Sequence, residues 1–514
     1  MNPGARGWAA VALLLATGPL AAQSPKDLAK AAGTITEADV KRRIFIIADD
    51  SMRGRDTPSP GLEMTAQYVA AEFQRFGLKP NGENGTWFVR LPLLRRQLLP
   101  AQSVLTFGSA DGSQIALPFA SSARILDGSS AATEVSGGVV LVSTMADAKD
   151  LKADDFKDKI VVWPLDLDKL PPGLQAAAGV MIQGGARVIV VVTPTDPVTF
   201  AGRLAGQSKP RVSREGEMSG GGPVVLEVPE REITSQFPAA AQNFSDLRAA
   251  PATVTQPLPD WTGSLTIRDS VIDRATAPVV VGRLDGSDKK LAATYVAFSA
   301  HMDHIGVAGG QCEAMGADSI CNGADDDGSG TVGVVELAEA FSQKKARPKR
   351  SMLFIGVSGE EKGLWGSSYF VEHPTVPLDS IVADLNIDMI GRNWKDTVVA
   401  IGREHSDLGA TLDSVNARHP ELGMRPVADL WPQENLYFRS DHYTFARKGI
   451  PILFFTTGLH EDYHKASDSP DKIDAEKEAR LLQLLFYLGQ DVANNPARPK
   501  WNPESYQKIV KGAQ

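Results

Sequence analysis

The sequence predicts an α/β protein built around a mixed, mostly parallel β-sheet. From about residue 266 onward, short apolar runs typical of buried strands alternate with longer stretches whose apolar residues recur at a helical period. Polar residues follow several of these runs directly, as expected where parallel strands end in an open α/β sheet. Between about 100 and 265 the pattern changes to Val- and Ile-rich runs separated by glycine turns, which indicates a β-rich insert.

The elements of the alternating region can be placed in order along the chain. Apolar runs predict buried strands, and helical periodicity predicts helices, one of which lies before the insert. The predicted strands are 295–299, 352–357, 381–387 and 452–456, and the predicted helices are 62–76, 331–341 and 480–493.

Size and charge limit the kind of protein. A chain of 514 residues with 43% hydrophobic residues can bury a large core and is expected to form two domains. The formal net charge of -9 leaves no extended basic surface, so nucleic-acid binding is not expected.

The first 22 residues resemble a cleaved secretory signal. Arg6 precedes an apolar stretch, 8–20, that is too short to span a bilayer with ease, and small residues follow it. No later run of ~18 apolar residues suggests a membrane span. We expect an exported protein, periplasmic or extracellular, in which Cys312 and Cys321 form a disulfide; a reduced or metal-binding pair is the alternative.

Several polar motifs contain residues that could bind a metal ion and activate water. A metal that activates water needs nitrogen and oxygen ligands from separate chain segments, with one carboxylate left free as a base. The chain offers these residue types at the ends of predicted strands, in His301-Met-Asp303, Asn322-Gly-Ala-Asp-Asp-Asp-Gly-Ser-Gly330, Ser358-Gly-Glu-Glu361, Asn386-Ile-Asp388 and the loop that contains His464.

The spacing within these motifs suggests roles. Asp303 can hydrogen-bond the second ring nitrogen of His301 and so set its tautomer. Of the adjacent Glu360 and Glu361, one can bind a metal while the other accepts a proton from water. The aspartate-rich loop 325–329 could instead hold calcium, although its nearness to His301 favours zinc.

In combination these motifs resemble the co-catalytic di-zinc aminopeptidases, a family related to glutamate carboxypeptidase and to the transferrin receptor ectodomain. The resemblance implies a three-layer αβα zinc-exopeptidase domain, formed by 38–98 and 266–500, that binds two Zn²⁺ ions per chain. By position it implies the following roles: His301 and Asp388 as terminal ligands of one zinc, Glu361 and His464 as those of the other, Asp326 as the bridging carboxylate, Glu360 as the general base, and Tyr463 as a phenol that stabilises the tetrahedral intermediate.

The insert, 100–265, resembles a protease-associated domain through Lys157-Asp-Lys-Ile-Val-Val162 and the segment 178–186. Ser440-Asp441-His442 also occurs in bacterial relatives, and we expect it to shape the cleft rather than to bind zinc.

The resemblance implies an exopeptidase acting on peptides. We expect an aminopeptidase, since Asp325, Asp327 and Glu360 add carboxylates near the ligands while few cations are close in sequence. The alternatives are a carboxypeptidase or dipeptidase of the same family, a glutaminyl cyclase that uses one zinc, and a receptor-like protein that has lost the chemistry.

Overall fold

The computed structural model describes residues 23–127, 133–216 and 222–512, so the predicted signal segment lies outside the described residues. Its helices are α1 (Pro25–Ala32), α2 (Glu37–Ile47), α3 (Pro60–Arg75), α4 (Leu174–Gln183), α5 (Pro197–Ala205), α6 (Glu230–Thr234), α7 (Ala240–Ala249), α8 (Gly330–Ser342), α9 (Trp365–Glu372), α10 (Leu408–Arg418), α11 (His442–Arg447), α12 (Ala475–Asn494) and α13 (Pro503–Tyr506). Its strands are β1 (Lys79–Pro80), β2 (Phe88–Leu98), β3 (Val104–Ser109), β4 (Gln114–Pro118), β5 (Arg124–Asp127), β6 (Thr133–Val142), β7 (Lys159–Pro164), β8 (Val188–Thr193), β9 (Arg211–Arg214), β10 (Val224–Pro229), β11 (Thr255–Ile267), β12 (Asp269–Leu284), β13 (Tyr295–His301), β14 (Ser351–Val357), β15 (Ile381–Ile387), β16 (Thr397–Ile401), β17 (Arg425–Val427) and β18 (Ile452–Thr456). Among the described residues no helix is long and apolar enough to cross a membrane.

The chain forms two compact units. The first runs to Leu91 and resumes at Ala277, and the second is the continuous segment Pro92–Thr276. The chain crosses from the first unit to the second within β2 and returns within β12.

The first unit has a mixed sheet whose centre is parallel. The strands lie in the order β17-β16-β18-β15-β13-β14-β12. Strands β18, β15, β13 and β14 all run in the same direction, while β16 pairs antiparallel with β18 and β12 pairs antiparallel with β14. The predicted α/β fold around a mixed, mostly parallel sheet is confirmed.

Helices cover both faces of this sheet. Successive residues of a strand point to opposite faces, and β13 shows the consequence: Phe298 stacks with Phe354 and contacts Phe341 of α8, whereas Ala297 belongs to the core that includes Phe370 of α9 and Phe445 of α11. Helix α12 joins α8 on the first face. These helices and the sheet form three layers.

The second unit is built on an eight-stranded sheet in the order β4-β3-β11-β6-β7-β8-β10-β5. Strands β6, β7, β8 and β10 are parallel, and the remaining pairs are antiparallel. Apolar clusters lie on both faces, one with α4 and the other with α6 and α7.

A buried arginine links the segment after α2 to the loops that follow β13. Arg55 is fully buried and donates four hydrogen bonds, to the carbonyls of Ile47, Met302, Asn322 and Gly323. Its planar fork of donors suits several acceptors at fixed angles, which a lysine cannot match.

We expect Arg55→Lys to lower the melting temperature by at least ~5 °C, because carbonyls are left without donors in a buried site. Circular dichroism on heating measures this change. Arg53→Lys, at an exposed position two residues away, is the matched control and should melt like the parent. Equal melting of the parent and Arg55→Lys would show that these hydrogen bonds contribute nothing to stability.

A buried carboxyl lies in the centre of the sheet. Asp384 of β15 is fully buried and accepts a hydrogen bond of 2.9 Å from the Ser299 hydroxyl. Burial raises the pKa of Asp384 from 3.8 to about 8, against the effect of that hydrogen bond. The folded protein therefore keeps a proton here at pH values where the unfolded chain has lost it.

It follows that this carboxyl makes folding less favourable as the pH rises from about 4 to about 8, since the unfolded chain binds fewer protons over that interval. Asp384→Asn removes the titration. We expect its melting temperature, relative to the parent, to increase steadily from pH 5 to pH 8. The exposed Asp379→Asn is the control and should show no such trend. A pH-independent difference for Asp384→Asn would contradict the assignment.

Candidate metal centre

The predicted site residues follow parallel strands whose carboxyl ends share one edge of the sheet. His301 is the last residue of β13, and Asp388 comes directly after β15. Glu360 and Glu361 lie in the loop after β14, and His464 lies in the loop after β18. The strand directions therefore bring five separate chain segments together, including the aspartate-rich loop before α8.

Asp326 lies between two histidines. Its Oδ1 is 3.4 Å from Nε2 of His301, and its Oδ2 is 3.4 Å from Nε2 of His464. Nε2 of His301 is also 3.6 Å from Asp388 Oδ1, while Nε2 of His464 is 3.2 Å from Glu361 Oε2. The geometry gives two groups, each with one histidine and one carboxylate of its own, that share Asp326.

The electrostatics of these groups favour a cation. Burial lowers the pKa of His464, but its contacts with Asp326 and Glu361 outweigh burial and raise that pKa to about 10. Neither His464 Nε2 nor Asp326 Oδ2, both buried atoms, has a hydrogen-bond partner among the described residues. Unpaired nitrogen and carboxylate oxygen atoms directed at one another are the donor set that zinc prefers.

Asp327 is placed differently from Asp326. Its carboxylate accepts backbone N–H bonds from His301 (3.1 Å), Gly330 (2.8 Å) and Met389 (3.2 Å). It can come within 4.8 Å of the ligand atoms of His301 and Asp388. Because both of its oxygens already accept hydrogen bonds, Asp327 fixes the positions of the surrounding loops, and Asp326 keeps its oxygens available.

Asp325 is also held by hydrogen bonds. Its Oδ1 accepts from the Ser329 hydroxyl (2.9 Å) and from Gly391 N–H (2.6 Å). The carboxylate of Asp468 in turn accepts the backbone N–H groups of Asp325 and Asp326. The loop is thus organised by its own side chains and by Asp468, which the sequence analysis did not single out.

Asp303 lies beside His301, although with a different contact from the one expected. His301 Nδ1 is 3.1 Å from the backbone carbonyl of Asp303 and 3.7 Å from its carboxylate. The carboxylate accepts from the Thr57 hydroxyl (3.0 Å) and from Glu360 N–H (3.3 Å). A proton on Nδ1 bound to the carbonyl leaves Nε2 free to bind a metal.

His304 is a site residue that the sequence analysis missed. Its Nδ1 is 2.9 Å from Glu361 Oε1 and 3.6 Å from Asp326 Oδ2, and the side chain is fully buried. With Asp326 and Glu361 it forms one of the two clusters whose ligand atoms lie within 4.8 Å of one another. The signal was present in the sequence, since His304 comes three residues after His301.

Glu360 and Tyr463 line the cleft together with four of the candidate ligands, His301, Asp326, Glu361 and Asp388. Burial raises the pKa of Glu360 well above the ordinary range, and the carboxylates of Asp441 and Asp388 add to the effect against His301. Burial also raises the pKa of Tyr463, as do Asp326 and Glu361, so its hydroxyl stays protonated. The ring of Tyr463 stacks on His464 with centroids 3.9 Å apart.

Ser440-Asp441-His442 lies behind Asp388. The Ser440 hydroxyl donates a bond of 2.8 Å to Asp388 Oδ2, and Ser440 lines the cleft. Burial lowers the pKa of His442 to about 3, and its Nε2 lies 2.8 Å from the Tyr437 carbonyl. Ser440 therefore orients Asp388, while the neutral His442 ring is part of the supporting structure.

The remaining wall of the cleft is mostly apolar, formed by Met389, Leu436, Phe454 and Leu459. Arg439 is the one cation among the described residues that line it. Arg392, the other arginine near the motifs, is instead bound to Asp462 at 2.7 Å.

The predicted disulfide between Cys312 and Cys321 is confirmed, with Cα atoms 5.8 Å apart. The cysteines pack against Ile305 and Ala466. Glu313, next to Cys312, donates its N–H to the carbonyl of His464 (3.4 Å) and accepts one from Ala466 (3.1 Å). The closed loop therefore supports the segment that carries His464.

The sequence is similar to known peptidases. Residues 279–488 match Peptidase family M28. The chain is 26% identical over 189 residues to Aminopeptidase YwaD of Bacillus subtilis (strain 168), a match that covers 35% of this chain and 39% of that protein. It is 40% identical over 158 residues to Leupeptin-inactivating enzyme 1 of Streptomyces exfoliatus, covering 30% of this chain and 34% of that protein. The chain thus spans well under half the length of these two relatives.

The fold is similar to a solved aminopeptidase from Aneurinibacillus sp. strain AM-1, with a TM-score of 0.50, 18% identity, and coverage of 93% of this chain and 98% of that one. The family match covers every residue placed in the two groups around Asp326. Over residues 279–488, this chain is therefore similar to Peptidase family M28.

Proposed function

We propose that this protein is an exported zinc aminopeptidase that releases single residues from the amino ends of peptides. The observation that carries the proposal is the position of Asp326, whose two oxygens face two different histidine–carboxylate groups. Such an arrangement would suit two metal ions, each held by one of these groups.

Each proposed ligand matches one of these contacts. His301 and Asp388 would hold one zinc, Glu361 and His464 the other, with Asp326 between them. His304 would orient Glu361 through its 2.9 Å contact. When bound, zinc would lower the pKa of the attacking water and polarise the carbonyl of the peptide bond that is cleaved.

The proton transfers are assigned to the protein. Glu360 lines the cleft, and because burial raises its pKa, it is suited to accept a proton from water and to pass it to the leaving amine. Its backbone N–H donates to Asp303, which fixes the start of the Glu360–Glu361 pair. Tyr463, whose hydroxyl stays protonated, would donate to the oxyanion.

The direction of cleavage depends on how the cleft binds a peptide end. We expected Asp325 and Asp327 to add carboxylates that favour an ammonium group in the cleft. This expectation is wrong, because both accept internal hydrogen bonds and neither lines the cleft. Glu360, Glu361 and Asp388 do line it and favour an ammonium group. The relatives named as aminopeptidases support the same direction.

A carboxypeptidase or dipeptidase is the second candidate, and Arg439 is the observation that favours it. Its side chain lines the cleft and is half exposed, with Glu434 as its ion-pair partner at 3.8 Å. An arginine in this state can bind a peptide carboxylate. A one-zinc glutaminyl cyclase or a receptor-like protein fits less well. The chain has the candidate ligands of both metal groups, and it also has the candidate general base, Glu360.

We also infer export through residues 1–22 to the periplasm or outside the cell, and a protease-associated type for the second unit. The disulfide supports export, since such bonds persist in oxidising compartments. The segments on which the resemblance to that domain depends lie mostly in β7 and α4, and the parallel strand β8 follows them.

Glu360→Gln should retain zinc and lose at least ~100-fold in kcat, because general-base catalysis is typically worth that much. Metal analysis and turnover of an aminoacyl reporter give the two readouts. Glu361→Gln is the comparison and should lose zinc as well as activity. If Glu360→Gln loses zinc instead, Glu360 is a ligand and the two roles are exchanged.

Digestion of an unmodified decapeptide should give a ladder that shortens from the amino end, and the N-acetylated peptide should resist, since it lacks the ammonium group that the cleft carboxylates bind. Mass spectrometry distinguishes the products. If the peptide instead shortens from the carboxyl end, and if Arg439→Gln loses this cleavage, the protein is a carboxypeptidase and not an aminopeptidase.

A further inference from the structure

The second unit contains an apolar cavity that the proposed chemistry does not use. It encloses about 240 Å³ between one face of the eight-stranded sheet and the α6–α7 segment. Phe107 of β3 and Trp261 of β11 form part of the sheet side, and Phe244 of α7 lies opposite. Phe237, between α6 and α7, meets Trp261 edge to face with centroids 5.0 Å apart. Four aromatic rings therefore surround the space.

The cavity is open to solvent rather than sealed in the core. Ala239, which lines it, is exposed, and the lining residues Phe237, Leu258 and Trp261 are only partly buried. A molecule the size of water therefore reaches the walls. A buried space of this kind that is apolar and accessible favours apolar ligands over water.

The polar character of the lining restricts the ligand. None of the described residues that line the cavity is charged, and Asn243 of α7 supplies the single amide. No hydrogen bond to its side chain occurs within the described part of the chain. A ligand with a formal charge would be desolvated here without a partner, which disfavours its binding.

The volume sets the size. An apolar cavity of ~150 Å³ holds benzene with its six heavy atoms, so by proportion 240 Å³ holds about nine. We propose that this cavity is a binding site for an uncharged aromatic group of about nine heavy atoms that carries one hydrogen-bonding atom directed at Asn243. The group belongs to a free small molecule or to an aromatic side chain of a peptide. The proposal does not depend on the peptidase activity.

Indole and indene make a matched pair of probes, because they have the same shape and only indole carries an N–H. Calorimetric titration of the full-length protein should show saturable binding of both, with indole ~3-fold tighter through one hydrogen bond to Asn243. Asn243→Ala should remove the preference for indole while retaining indene. Absence of saturable binding of either probe up to its solubility would overturn the proposal.

A substitution that fills the cavity tests whether the probes bind there. Ala240 of α7 is buried and lines the cavity, whereas Ala241 is exposed and does not. Ala240→Leu should weaken both probes by ~10-fold, since added methyl groups occupy the ligand's volume, and Ala241→Leu should bind like the parent. Unaltered binding in a folded Ala240→Leu would place the probes elsewhere and refute the site. If that variant does not fold, the Asn243→Ala comparison decides.

The source of the group is distinguished with an N-acetylated, C-amidated tryptophan peptide. Binding of this peptide in competition with indole, and its loss in Ala240→Leu, would assign the site to peptide side chains. Binding of free indole without the peptide would assign it to small molecules. Failure of both ligands would overturn the proposal, whatever the protein does to reporter substrates, so this result is separate from a failure of the proposed activity.

Discussion

The position of the candidate metal centre depends on one buried guanidinium. Arg55 donates to carbonyls in the loop after β13 and at the start of the aspartate-rich loop, so it holds the two segments that carry His301 and Asp326 in register. Burial lowers the pKa of Arg55, and the nearby carboxylates of Asp326 and Asp327 oppose that effect. The positive charge is therefore stabilised by the same acidic loop that it positions. Parallel strands bring the loops to one edge, but this interaction sets their mutual distance.

The carboxylates around the site differ in the hydrogen bonds that they accept. Asp325, Asp327 and Asp468 accept backbone N–H groups or a hydroxyl, and each of these bonds fixes part of a loop. Asp326 retains an oxygen without a partner in the described structure. Preorganisation of this kind means that metal binding need not order the loops, so less of the binding free energy is spent on conformational entropy.

The sequence predicted the sheet, the edge and the principal site residues because those signals are local. A run such as 352–357 indicates a buried strand from its own composition, and the residues after it must lie at the strand end. The role of Arg55 could not be predicted in this way, since its partner Met302 is 247 residues away. His304 was overlooked for another reason: its contact with Glu361 depends on how two loops fold together. The hydrogen bonds that Asp325 and Asp327 accept are likewise a property of tertiary structure.

The second unit interrupts the sequence of the first, and this order along the chain affects how the protein folds during synthesis. The second unit, Pro92–Thr276, is continuous, whereas the first needs strands from both sides of it. During translation the second unit therefore has all its residues available before β13 has been made, and domains generally fold as units from the amino end. Arg55 leaves the ribosome long before Met302, Asn322 and Gly323, which supply three of its four acceptors. The segment that holds the centre together is thus synthesised well before most of the residues that bury it.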